Sequence, residues 1–237
     1  MTADHLSQDS VAVVTGGNRG IGLEVARQLA DRGLDVVLGS RDLERGRRAA
    51  ARLASLAGRV LPCQLDVADP ASVAAAAGWI SDALGRADIL VNNAAIEYDT
   101  DQQAATADLG RVQQALQTNL LGAWQTTQAL LPLLRQSPHP RIVNVSSEGG
   151  SISEMTGGTP AYSVSKAALN ALTRLLAGEL GSAGFLVNAV CPGWTDTDMG
   201  PGGRPVEQGA ASVTWAALLP DDGPTGGFYR DGRSLPW

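Results

Sequence analysis

Four small apolar residues, Val11-Ala12-Val13-Val14, run directly into the glycine-rich turn Thr15-Gly16-Gly17-Asn18-Arg19-Gly20-Ile21-Gly22, which opens a helix-forming stretch from Ile21 to Arg32. An apolar run without alternation suits a strand buried on both faces, as in a parallel sheet. Glycines permit a tight turn and let backbone N–H groups approach an anion closely. The helix N-terminus adds its dipole, which favours a pyrophosphate. The glycines stand at 16, 17, 20 and 22 and do not spell Gly-x-Gly-x-x-Gly. The strand–turn–helix context is what favours phosphate binding over a plain tight turn.

The rest of the chain repeats the alternation. Further strands are expected at 35–39, 59–65, 88–91, 141–145 and 185–190, with a short one near Gly227-Phe228-Tyr229. Helices are expected over Leu43 to Leu56, from Pro70 to about Leu84, from about Asp108 to Leu134, from Pro160 to about Gly184, and from Val206 to Leu218. Alternating strands and helices predict an α/β fold: a Rossmann-type doubly wound parallel sheet of about seven strands with helices on both faces. No linker, repeat or low-complexity tract divides the 237 residues, so one domain is expected, with residues 1–10 as a tail and about 194–209 as a substrate loop or lid.

A net charge of -6 argues against nucleic-acid or anionic-membrane partners. No apolar run is long enough to span a bilayer and no signal-peptide core stands at the N-terminus, so a cytoplasmic protein is expected. Cys63 and Cys191 sit in strand-like runs and read as buried reduced thiols. The two histidines, His5 in the tail and His139 between two prolines, are placed neither to ligate a metal nor to serve a Ser-His-Asp triad, and no Gly-x-Ser-x-Gly elbow occurs. A serine hydrolase is therefore disfavoured, and no metal site is expected.

The second strand ends Gly39-Ser40-Arg41-Asp42. In a dinucleotide fold, a carboxylate at this strand end holds the ribose of NAD, whereas an arginine suits the 2′-phosphate of NADP. Arg19 and Arg41 could converge on such a phosphate, with Asp42 turned aside as the cap of the next helix. NADP(H) is therefore the expected cofactor. Tyr162 and Lys166 lie four residues apart, on one helical face. A cation there would pull the phenol below its usual pKa near 10 and make a general acid/base.

With these stretches placed, the chain from about Val11 to Trp237 resembles the short-chain dehydrogenase/reductase family, most closely its carbonyl reductase branch. Thr15-Gly16-x-x-x-Gly20-x-Gly22 is similar to that family's cofactor turn. Leu65-Asp66-Val67 is similar to its adenine contact. Asn92-Asn93-Ala94-Ala95 resembles the family's Asn-Asn-Ala-Gly, with Ala95 where the family keeps glycine. Val145-Ser146-Ser147, Tyr162 and Lys166 match its catalytic Ser, Tyr and Lys, and Asn119 falls where the family keeps the Asn of a proton-relay water. The Ser147-to-Tyr162 spacing is a little longer than the family norm. Cys191-Pro192-Gly193-Trp194-x-x-Thr197-Asp198-Met199 resembles the segment beside the nicotinamide.

The resemblance implies NADPH-dependent reduction of an aldehyde or ketone, or the reverse, with Asn119, Ser147, Tyr162 and Lys166 catalytic. It implies cofactor contacts from Gly16, Asn18, Arg19, Gly20, Ile21, Gly22, Ser40, Arg41, Asp66, Val67, Asn93, Ala94, Tyr162, Lys166, Pro192, Gly193, Thr195 and Thr197. It implies a small-molecule carbonyl or alcohol as substrate and a dimer or tetramer, with a monomer also known in the branch. Plainer readings stay open: Asn119 as a locally satisfied helix residue, Ser147 as a strand-end serine, Thr197 and Asp198 as helix caps. A nucleotide sensor of the same fold, without turnover, is the rival function. Tyr98, Met155, Trp194 and Met199 suggest a partly apolar substrate pocket.

Overall fold

The computed structural model describes residues 10–96 and 98–237; the expected tail up to Asp9, with His5, lies outside them. The strands are β1 (Val11–Val14), β2 (Asp35–Ser40), β3 (Val60–Gln64), β4 (Ile89–Asn92), β5 (Arg141–Val145), β6 (Leu186–Val190), β7 (Phe228–Arg230) and β8 (Arg233–Ser234). They form one sheet in the order β3-β2-β1-β4-β5-β6-β7-β8. Every pairing is parallel except β7 with β8. The sheet therefore has one strand more than the seven expected, because Asp231-Gly232 turns the chain back into a two-residue edge strand.

Along each central strand, successive residues enter opposite cores, as the pleat demands. Val11, Val13, Val37, Leu90, Ile142 and Val187 meet the helices α3 (Pro70–Leu84), α5 (Ala123–Leu134) and α6 (Pro160–Leu180). Ala12, Val14, Val36, Leu38, Ile89, Val91 and Val143 meet α1 (Gly20–Asp31), α2 (Leu43–Ala51) and α7 (Val206–Ala217). Both faces are covered, which is why these strands read as unbroken apolar runs. Among the described residues no helix is long and apolar enough to cross a membrane.

Two helices differ from expectation. The helix from Leu43 stops at Ala51, and turns carry the chain to Gly58. A Cβ at Gly58 would stand 1.9 Å from the Leu34 carbonyl oxygen, and the Gly58 N–H donates to the Ala30 carbonyl at 2.8 Å, so this turn is drawn against the end of α1. The expected helix from 108 to 134 is broken into α4 (Leu109–Ala115), a π turn over Leu116–Gly122, and α5. The π turn holds Asn119, whose side chain is claimed by tertiary partners described below. Periodicity in sequence cannot show such a local change of winding.

Candidate active site

The order of strands reverses between β1 and β4, which opens a crevice beyond their C-terminal ends. The turn after β1 and the segment after β4 meet there. The Thr15 hydroxyl accepts the N–H groups of Asn93 (2.9 Å) and Ala94 (3.0 Å). The Asn93 amide donates to the carbonyls of Thr15 (2.9 Å) and Gly16 (3.2 Å). Gly16 adopts φ 63°, and a Cβ on it would press on Ala94 at 3.0 Å. A Cβ on Gly22 would lie 2.4 Å from the Asn93 amide nitrogen. The fourth-strand motif thus braces the turn: the Asn93 side chain acts on the turn's backbone, a role the sequence did not reveal.

Helix α1 starts without a side-chain cap at Arg19 and without an acidic residue in its first turn. The first N–H groups of a twelve-residue helix are left for an outside acceptor, with the positive end of the dipole behind them. Gly20 adopts φ 53° and faces the Thr197 methyl group. These features fit the phosphates of a dinucleotide.

At the end of β2, the Asp42 side chain accepts from the Arg45 N–H at 3.1 Å and caps α2, as expected. The Ser40 hydroxyl donates to the Asp42 carbonyl at 2.7 Å. Arg41 is exposed at the strand end. Arg19 does not join it: its guanidinium is paired at 2.7 Å with Asp198 in the 194–205 segment. One Asp66 oxygen accepts from the Ala68 N–H at 3.0 Å, which fixes the turn after β3, and Val67 packs under the π turn at Gly122.

The expected acid/base group comes together beyond β5. Ser147 follows that strand and its Oγ accepts from the Gly149 N–H at 3.1 Å; its hydroxyl also acts on the Tyr162 phenol, which it pulls toward a lower pKa. Lys166, one turn along α6, is 2% exposed. Its Nζ donates to the Val145 carbonyl at 2.6 Å and lies 5.6 Å from the Tyr162 ring centre. Burial drives the lysine pKa down to about 8. Burial also drives the phenol well above its ordinary value, and the Ser147 hydrogen bond offsets only part of that. The expected lowering of the phenol by Lys166 is thus not what the protein groups alone produce: burial raises it, only Ser147 pulls it down, and the Lys166 ammonium is directed at the Val145 carbonyl.

Asn119 is buried and its side chain makes three hydrogen bonds. Its Oδ1 accepts from the Ile96 N–H (2.8 Å), and its Nδ2 donates to the Ile96 carbonyl (3.0 Å) and to Ser165 Oγ (2.9 Å). A water held by this residue would use its backbone or the second lone pair of Oδ1.

On the other side, the Cys191 thiol accepts the N–H groups of Glu148 and Gly193, each at 3.3 Å, joining the Ser147 turn to the Pro192-Gly193 segment. Thr195 is buried and its hydroxyl donates to the Gly193 carbonyl at 2.9 Å, so it closes its own turn. Tyr98 lies edge-on to Tyr162, with ring centres 5.2 Å apart, and 5.4 Å from Trp194. A cleft of about 470 Å³ opens beside them, lined by Tyr98, Glu148, Glu154, Met155, Phe228 and Leu235 among others. Its wall holds the expected Tyr98 and Met155 but not Trp194, which packs on Gly200, nor Met199. Asp99, which the sequence did not single out, is fully buried against the start of α6.

A phosphate-ready turn at a switch point, with a Ser–Tyr–Lys cluster across the crevice, defines an oxidoreductase of the dinucleotide-binding class. A family model described as short chain dehydrogenase matches residues 10–206, and the chain belongs to that family. It is 36% identical to salutaridine reductase of Papaver somniferum over 291 residues, covering 92% of this chain and 93% of that protein. That alignment is longer than the 237 residues here, so the relative carries segments that this chain lacks. It is 33% identical to carbonyl reductase [NADPH] 1 of Mus musculus, covering 98% and 99%. The solved structure of the poppy salutaridine reductase superposes with a TM-score of 0.83 at 33% identity, covering 94% of this chain and 99% of that one. NADPH-bound carbonyl reductase from chicken fatty liver superposes with a TM-score of 0.85 at 29% identity, covering 97% and 99%.

Proposed function

We propose that this protein reduces an aldehyde or ketone to an alcohol with NADPH, or catalyses the reverse. The observation that carries the reading is the cluster in which Lys166, buried one turn along the helix, stands 5.6 Å from the Tyr162 ring centre, with the Ser147 hydroxyl acting on the phenol. When bound, the nicotinamide supplies the hydride to the carbonyl carbon. Tyr162 donates the proton to the carbonyl oxygen; a phenol held protonated by burial is in the right state for that direction. Ser147 donates a hydrogen bond to the same oxygen as charge develops on it. Lys166 holds positive charge near the phenol and binds the cofactor's ribose. Asn119 fastens α6 to the loop after β4 and offers its backbone to a relay water.

The free first turn of α1 takes the pyrophosphate, with Gly16, Asn18, Gly20, Ile21 and Gly22 around it, and Arg41 takes the 2′-phosphate. Asp42, already committed to its helix, is poorly placed to compete as a ribose ligand. Asp66 keeps one carboxylate oxygen for the adenine amino group. The names of two relatives support NADPH, since one is a carbonyl reductase [NADPH] and another was solved with NADPH bound.

NADPH consumption, followed by absorbance with a panel of aryl and alkyl ketones and aldehydes, tests the reading. Turnover with any carbonyl and none with NADPH alone is expected. Cofactor binding without turnover across the whole panel and its alcohols would replace the reading with a nucleotide sensor.

A further inference from the structure

The first turn of α6 carries Tyr162, yet it has no local cap. Thr159 precedes it at φ 42° and makes no side-chain cap hydrogen bond; its hydroxyl pairs with Ser163 Oγ at 3.0 Å instead. Pro160 brings no N–H. The next two donors, on Ala161 and Tyr162, have no intrahelical acceptor.

Asp99 takes both. Its Oδ2 accepts from the Ala161 N–H at 2.9 Å and its Oδ1 from the Tyr162 N–H at 3.1 Å. The residue is 0% exposed. A buried carboxylate is costly unless hydrogen bonds and opposite partial charge receive it, and the positive end of a 21-residue helix supplies both. Three residues earlier in the same loop, Ile96 is held at its N–H and carbonyl by Asn119, which also reaches Ser165 on α6. Ile96 and Asp99 are thus each tied to the helix, the first through Asn119. Tyr98, next to Asp99, stands edge-on to the Tyr162 ring and beside Trp194.

We infer that Asp99 is a positioning residue: by capping α6 from a distant loop it sets the direction of the Tyr162 phenol and presses Tyr98 against it as the substrate wall. The kinetic part rests on the carbonyl-reducing function proposed above; the structural part does not. In Asp99→Ala both acceptors are lost. In Asp99→Asn the shape is kept, but one acceptor oxygen becomes a donor that faces an N–H.

The test is amide hydrogen exchange resolved at Ala161 and Tyr162, together with carbonyl-reduction kinetics. In Asp99→Ala both amides should exchange at least about fivefold faster, the scale of a lost helix cap. In Asp99→Asn only one of the two should do so. With a carbonyl substrate, kcat should fall in the order wild type, Asn, Ala, with KM raised and the NADPH dissociation constant unchanged within about twofold, since the phosphate turn is untouched. Wild-type exchange at both amides in Asp99→Asn would overturn the inference, because a side chain that merely fills space tolerates that change. Should Asp99→Ala fail to fold, the isosteric variant still decides by the same readout. Absence of carbonyl turnover in the wild type would sink the proposed function, while the exchange rates would still judge the cap.

Discussion

The Lys166 ammonium lies 5.6 Å from the centre of the Tyr162 ring and is bound at 2.6 Å to the Val145 carbonyl. Its burial has a cost that depends on pH. The folded pKa is near 8, against 10.5 for the free side chain. Between those values the unfolded chain binds more protons than the folded one, so stability rises with pH. The penalty is full below about pH 8 and fades as pH climbs toward 10.5. Without cofactor, the wild type should therefore gain stability relative to Lys166→Met across that window, by up to about 3 kcal/mol. Urea unfolding of both proteins at a series of pH values checks this, and parallel curves would refute it.

Tyr162 should be indispensable for chemistry and dispensable for cofactor binding. Tyr162→Phe keeps the ring that packs on Tyr98 and deletes the hydroxyl that meets Ser147. Its kcat for carbonyl reduction should fall by about 10²- to 10⁴-fold, the range for loss of a general acid. The NADPH dissociation constant, measured by fluorescence titration, should stay within about twofold, because the phosphate turn is untouched. A variant that keeps a tenth of the wild-type rate, roughly, would remove Tyr162 from that role.

Much of this site was legible because it rests on short-range patterns. The run Val11 to Val14 followed by glycines fixes a buried strand and a turn, and the Tyr162–Lys166 spacing fixes a shared helical face. The cap on α2 was legible for the same reason, since Asp42 bonds three residues ahead. What stayed hidden depends on tertiary partners. Asn119 reads as a helix residue until Ile96 and Ser165 arrive to claim its amide within a π turn. Asp99 caps a helix 62 residues away, and Arg19 turns from the expected phosphate cluster to Asp198, 179 residues on. The raised phenol pKa was hidden too, because desolvation depends on what surrounds the ring in space.

Cofactor choice should turn on Arg41. It is exposed at the end of β2, beside an Asp42 that is engaged with the Arg45 N–H. Arg19 is a weaker candidate for the 2′-phosphate, since Asp198 already pairs with it. Arg41→Asp replaces a cation by a ribose-binding carboxylate. The ratio of kcat/KM with NADPH to that with NADH should drop by at least about tenfold, as loss of a charge-assisted hydrogen bond implies. Arg19→Ala should change the ratio less. An unchanged ratio in Arg41→Asp would show that the 2′-phosphate lies elsewhere.

The segment from 194 to 205, most of the stretch of about 194–209 expected to act as a lid, is held by one residue at several points; residues 206–209 belong to α7. The Arg204 N–H donates to the Trp194 carbonyl and its own carbonyl accepts from the Asp196 N–H, both at 2.9 Å. Its guanidinium makes two hydrogen bonds to Asp231 at 2.9 and 3.0 Å, and packs over Gly193. The side-chain clamp joins the segment to the β7–β8 turn, where Asp231 itself adopts φ 52°. Arg204→Ala leaves the backbone pairing but removes the clamp, so the segment should open more often without unfolding the sheet. Limited proteolysis between 196 and 204 should then run about three- to tenfold faster, matching roughly 1 kcal/mol for a partly exposed bidentate pair. The global urea midpoint should change little. Bound NADPH should restore protection if the segment closes over the nicotinamide, and cleavage at the wild-type rate would show that the backbone pairing alone keeps it shut.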